Sequence, residues 1–131
     1  MALDHTQIAA HPDAIAPDGS QVRVLCAGTR GSMAHFTLPA GAVARAVAHR
    51  TIEEVWLFLS GTGRMWRKLG DNETTIEVRA GTSVLIPVGT HFQFRADGGP
   101  EPLIAVGTAM PPWPGPDEAY GVPGLWPPVG V

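Results

Sequence analysis

His49 stands five residues before Glu54 in VAHRTIEEVWLFLSGTG, residues 47–63, and an apolar strand runs from there into a Gly-rich turn. An imidazole and a carboxylate so placed can ligate one divalent metal, or hydrogen-bond each other or a small ligand. The neighbouring Glu53 does not make a glycosidase pair with Glu54, because successive strand residues face opposite sides. Arg45, Arg50, Arg64 and Arg67 are the cations best suited to clamp a substrate carboxylate or phosphate. Other reactive signatures are missing: there is no Gly-x-Ser-x-Gly, no P-loop and no dinucleotide fingerprint. The single thiol, Cys26, cannot form an internal disulfide, and in the alternation of VRVLCAG it reads as a small buried hydrophobe. His5 and His11 read as solvated, and His35 as a strand-surface histidine.

The elements that must position these residues are short. The chain has 131 residues, enough for one domain with one core. Its 44% hydrophobic and 16% charged content excludes a disordered, charge-rich polypeptide. A net charge of −3 without a basic run excludes the usual nucleic-acid partner. No apolar run reaches membrane-span length, so no membrane partner is expected. Nothing at the N-terminus reads as a signal peptide, and a soluble, cytoplasmic protein is expected.

Residues 1–20 read as an arm rich in turn chemistry, and residues 110–131 as a Pro-rich tail lying over the domain, with Trp113 and Trp126 as anchors. Between them, residues 21–109 alternate short apolar runs with Gly, Pro, Asn and Asp turns: QVRVLCA, MAHFTL, VARAVAH, VWLFLS, RMWRKL, TIEVR, SVLIPV, HFQFRA and LIAVGTA. Such a series predicts an all-β sandwich or barrel. The runs at 55–60 and 83–87 are apolar enough to be expected at the centre, covered on both faces. Trp56, Phe58 and Trp66 read as core, or as the aromatic lining of a pocket.

Residues 41–61 resemble the first motif of the cupin superfamily: Gly, five residues, His-x-His, three or four residues, Glu, six residues, Gly. Gly41, His49, Glu54 and Gly61 match it. Residues 81–92, GTSVLIPVGTHF, resemble the second: Gly, five residues, Pro-x-Gly, two residues, His. Gly81, Pro87 and Gly89 match. The resemblance covers about residues 21–109 and implies a double-stranded β-helix, the jelly roll of the cupin barrel. It departs at two of the four usual metal-ligand positions, where Val47 and Phe92 stand. His91 lies one residue before the second motif's histidine, and a bulge at that strand start would bring it inward. The resemblance then implies a metal held by His49, Glu54 and His91, with Fe(II) favoured and Zn, Mn or Ni as rivals. It further implies a metal-dependent enzyme of dioxygenase or isomerase type. Trp56, Trp66, Phe92 and Arg64 would contact a small organic substrate, and the protein would be a homodimer. The alternative is a metal-free barrel that binds a small molecule without catalysis, which Val47 and Phe92 support.

Overall fold

Alternating runs closed by glycine turns become antiparallel strands. The computed structural model describes residues 2–131. Eleven strands follow one another: β1 (Ala14–Ile15), β2 (Gln21–Ala27), β3 (Ser32–Leu38), β4 (Val47–His49), β5 (Glu53–Ser60), β6 (Thr62–Leu69), β7 (Asn72–Arg79), β8 (Ser83–Ile86), β9 (His91–Ala96), β10 (Leu103–Met110) and β11 (Ala119–Gly121). One 3-10 turn, Pro116–Glu118, precedes the last of them. The strands form a six-stranded sheet in the order β1-β2-β3-β10-β5-β8 and a five-stranded sheet in the order β11-β4-β9-β6-β7. Every pairing is antiparallel. Two such sheets face to face make a jelly roll, the double-stranded β-helix that the motifs implied. Among the described residues no helix is long and apolar enough to cross a membrane.

The core sits between the sheets, and the period of two decides what enters it. On β5, Trp56 and Phe58 point inward and are at most 2% exposed, and Glu54 follows them in. On β9, Phe92 and Phe94 do the same. Each such aromatic contributes roughly 1.5–3 kcal/mol on leaving water. The turn from β5 to β6 requires Gly61, whose φ is 79°. A side chain there would collide with the Pro102 carbonyl.

Three expectations need correction. The run at 83–87 is not central, because β8 ends its sheet. Nor is β5 covered on both faces: Val55, Leu57 and Leu59 are 40–43% exposed, so apolar composition here marks an outer surface as well as a core. Cys26 is exposed rather than buried.

The two terminal segments join the sheets. β1 lies within the arm and pairs with β2. β11 lies within the tail and pairs with β4, aligning Ala119 with His49. Farther along, Val129 bridges to Val43, and Gln93 on β9 grips Leu125 and Trp126.

Candidate functional site

A cavity of about 270 Å³ opens between the sheets, walled mainly by apolar residues of β2, β3, β5 and β10. His49, Glu54, Trp56, Val47 and Phe92 all line it, so the β4 and β5 residues singled out by the motif do share one space. His49 Nδ1 lies 3.3 Å from Glu54 Oε1. The pair makes no aligned hydrogen bond, however, and Nδ1 is buried without a partner. The indole N–H of Trp56, on the same wall, is also buried; it lies near the Glu54 carboxyl without making an aligned hydrogen bond.

Burial dominates the electrostatics here. It pushes the His49 imidazole down to about 4, against the pull of the Glu118 carboxylate. It pushes the Glu54 carboxyl up to about 8; nearby Asp18 adds to the rise, and the Trp56 indole opposes it. At neutral pH His49 is therefore uncharged and Glu54 carries its proton. Asp18 is also raised by burial, although Ser20 donates to its Oδ1 from both backbone N–H and hydroxyl, at 2.9 and 2.7 Å, and Arg45 lies nearby.

The tail shapes the site. Trp113 sets its ring edge-on to His49, with centroids 5.6 Å apart, and its backbone N–H donates to Ser32 Oγ at 2.9 Å. Phe92 also meets the imidazole edge-on, with centroids 5.3 Å apart. Glu118 accepts from the N–H groups of Thr51 and Ile52 and from the Thr51 hydroxyl, which pins the turn between His49 and Glu54. Burial alone would raise the Glu118 carboxyl, but these bonds hold it below the usual range. Trp56 stacks on Phe36 with centroids 4.8 Å apart. Gly107 on β10 makes room for both rings: a Cβ there would lie 2.7 Å from Trp56 Cδ1 and 2.9 Å from Phe36 Cε2.

Sequence reasoning missed Asp18, Glu118 and Gly107 as site residues. Asp18 lies 36 residues before Glu54 (54 − 18) in a segment that reads as a turn, and Gly107 reads as an ordinary strand residue. Trp113 was singled out as a tail anchor, and the tail pairing that brings it to His49 has no local signal.

The structure does not bring His91 to the pair. Its strand runs opposite β6 in unbroken register, from Lys68 against His91 to Gly63 against Ala96. Without a bulge, His91 shares the outer face with Gln93, and Phe92 takes the inward place. Trp66 and Arg64 are likewise outside the cavity, because Met65 claims the inward side of β6. Trp66 is buried on the outer face, where its indole donates to Glu73 at 2.8 Å, and Arg64 is exposed. His35 lies outside the cavity, opposite Arg23, but it is buried rather than on the strand surface, because neighbouring side chains cover it there. The residues present do not fit the three-ligand metal set. His49 and Glu54 supply two donors, apolar side chains stand at the other two positions, and no group of three or more His, Cys, Asp or Glu among the described residues is placed to hold an ion. Catalytic zinc and non-haem iron sites ordinarily take three protein ligands.

No curated protein sequence matches the chain. Among solved structures it is similar to a Bacillus halodurans protein, at 22% identity and TM-score 0.64 over 77% of this chain and 74% of that one. A Streptomyces PAC13 variant with uridine is similar over 96% and 95% of the two chains, with TM-score 0.71 and 11% identity. Oxalate decarboxylase from Bacillus subtilis is similar at 19% identity and TM-score 0.69, over 84% of this chain and 29% of the enzyme. Identities at this level speak for the fold alone. Residues 34–106 match the Cupin domain family model, more than half of the sequence, and with both motifs set on the strands of one jelly roll the chain belongs to the cupin family.

Proposed function

We propose that the cavity binds an uncharged or cationic small organic molecule without a metal, holding it by apolar contact and by hydrogen bonds to His49, Glu54 and Trp56. The observation that carries this reading is an apolar cavity lined by His49 and Trp56, each with a buried ring nitrogen that completes no aligned hydrogen bond, together with two acidic side chains and no Lys or Arg. Buried polar groups left without partners favour a ligand that supplies them. An anion would find no Lys or Arg in the lining to pair with. A neutral His49 beside a protonated Glu54 also forms an acid–base pair, able to accept and donate a proton at a bound molecule. The exposed, unpaired Cys26 suits a reducing compartment such as the cytoplasm.

Uridine is a first probe, being uncharged and present with the PAC13 variant. Calorimetric titration with uridine, benzamide and benzylamine, against uridine monophosphate and benzoate, tests the charge rule. Binding by members of the first group and none by the second is expected. Tighter binding by the anions would overturn the reading.

A second reading, the metal-dependent enzyme, is favoured by one observation: a buried imidazole nitrogen and a carboxylate oxygen 3.3 Å apart could share one divalent ion, with substrate atoms completing the sphere. Glu54 would then have to lose its proton, so Fe, Mn, Ni or Zn uptake would release protons and strengthen as pH rises toward 8. Metal content below about a tenth of an equivalent in tag-free protein, with no metal-dependent rise in melting temperature, would remove this reading.

A further inference from the structure

A second cavity of about 180 Å³, sharing no lining residue with the first, lies where β6, β7 and β8 meet the Pro87–Thr90 turn. Arg67 enters it because the period of two that buries Met65 on β6 turns residue 67 the same way. Its Nη1 crosses to the other sheet and donates to the Leu85 carbonyl at 2.7 Å. Its Nε is buried and has no partner. No carboxylate pairs with it: among the described residues the one acid–base pair within 4.0 Å is His49 with Glu54. Thr90 is 2% exposed, and its hydroxyl is buried and idle as well. The two residues that carry these orphan groups both line this one cavity, Asn72 and Thr74 line it as well, and no Asp or Glu does.

A guanidinium held partly out of water with an unused N–H is costly unless an anion meets it. The Nε edge of an arginine offers two parallel N–H groups, which match the two oxygens of a carboxylate or of a phosphate. Leu85 and Pro87 form an apolar wall beside it, suited to a short carbon stem. We propose that this second cavity is a binding site for a small oxyanion, a carboxylate or a phosphate, held by the Arg67 guanidinium and the Thr90 hydroxyl. Its charge preference is the reverse of the first cavity's, and it stands independently of what the first cavity binds.

The test is a nitrogen–proton NMR titration of the arginine Nε–H groups with sodium acetate, butyrate and phosphate against sodium chloride at matched ionic strength. The Arg67 resonance is expected to move saturably with acetate, butyrate or phosphate and to stay still with chloride. The tighter of the carboxylates and phosphate assigns the source, and a gain from acetate to butyrate assigns a carbon stem. Thr90→Val should weaken the affinity by about tenfold, and Arg67→Gln should abolish it. A resonance that ignores all three anions, or follows chloride equally, overturns the proposal. So does undiminished affinity in Thr90→Val, which decides the matter alone if Arg67→Gln fails to fold.

Discussion

Gln93 and the His49–Glu54 pair are polar side chains sunk to within a few per cent of full burial in the same barrel, and the fold treats them in opposite ways. The Gln93 amide is saturated. Its Nε2 donates to the carbonyls of Ala44 and Trp126 at 2.8 and 2.7 Å, and its Oε1 accepts from the N–H groups of Leu125 and Trp126 at 2.9 and 3.0 Å. His49 and Glu54 lie against a cavity, with the imidazole nitrogen unused. A saturated buried group is a joint, here the one that fastens the tail to the barrel. An unsaturated one beside empty volume is poised for something that arrives from outside.

The comparison can be broken by substitution. Gln93→Leu should cost on the order of 5 kcal/mol, since four hydrogen bonds go and their backbone partners stay behind. Urea unfolding would show the loss, whereas ligand titration of whatever still folds should be little changed. A cost below about 1 kcal/mol would deny Gln93 its role as a joint.

Glu54→Gln should act in the other direction and depend on pH. The folded-state pKa of Glu54 is raised from 4.5 to about 8, so its neutral form is the one the fold accommodates. Its contribution is complete below the unfolded value and is lost as pH climbs through the folded one. Wild type should therefore lose stability relative to Glu54→Gln between pH 4.5 and about 8, by on the order of 4 kcal/mol over the window. Parallel unfolding curves across that range would contradict the burial of an ionisable carboxyl.

Gly107→Ala sharpens the cavity side of the contrast. A methyl group against the stacked Trp56 and Phe36 rings should cost about 2 kcal/mol and abolish uridine binding by moving the indole N–H. Unchanged binding would remove Trp56 from the site. The smallest effect on stability is expected for His49→Leu, within about 1 kcal/mol, because no completed hydrogen bond is lost. It should nevertheless end ligand binding, and a large loss of stability without loss of binding would make His49 a joint like Gln93.

The contrast between Gln93 and His49 was not visible in the sequence. Both stand on strands among apolar neighbours, and only their surroundings separate them. The motif glycines and the two-residue alternation placed His49, Glu54, Trp56 and Phe92 on the correct strands. The same alternation argued against His91, and the bulge needed to rescue it does not form. Arg64 and Trp66 failed as cavity residues for the equivalent reason on β6, where strand membership was legible and the facing side was set by Met65.

The sequence by itself determined the barrel: glycines at the turns and apolar residues at every second position leave few arrangements other than two facing antiparallel sheets. Those are local constraints, carried by backbone dihedrals and side-chain period. Tertiary structure decided which atoms share a cavity. Asp18, Trp113 and Glu118 reach His49 and Glu54 only because the terminal segments add strands to opposite sheets, and Arg67 and Thr90 line one cavity only because β6 and the turn before β9 close on one another. Such meetings depend on register between distant strands, a property of paired segments that no single stretch of chain contains.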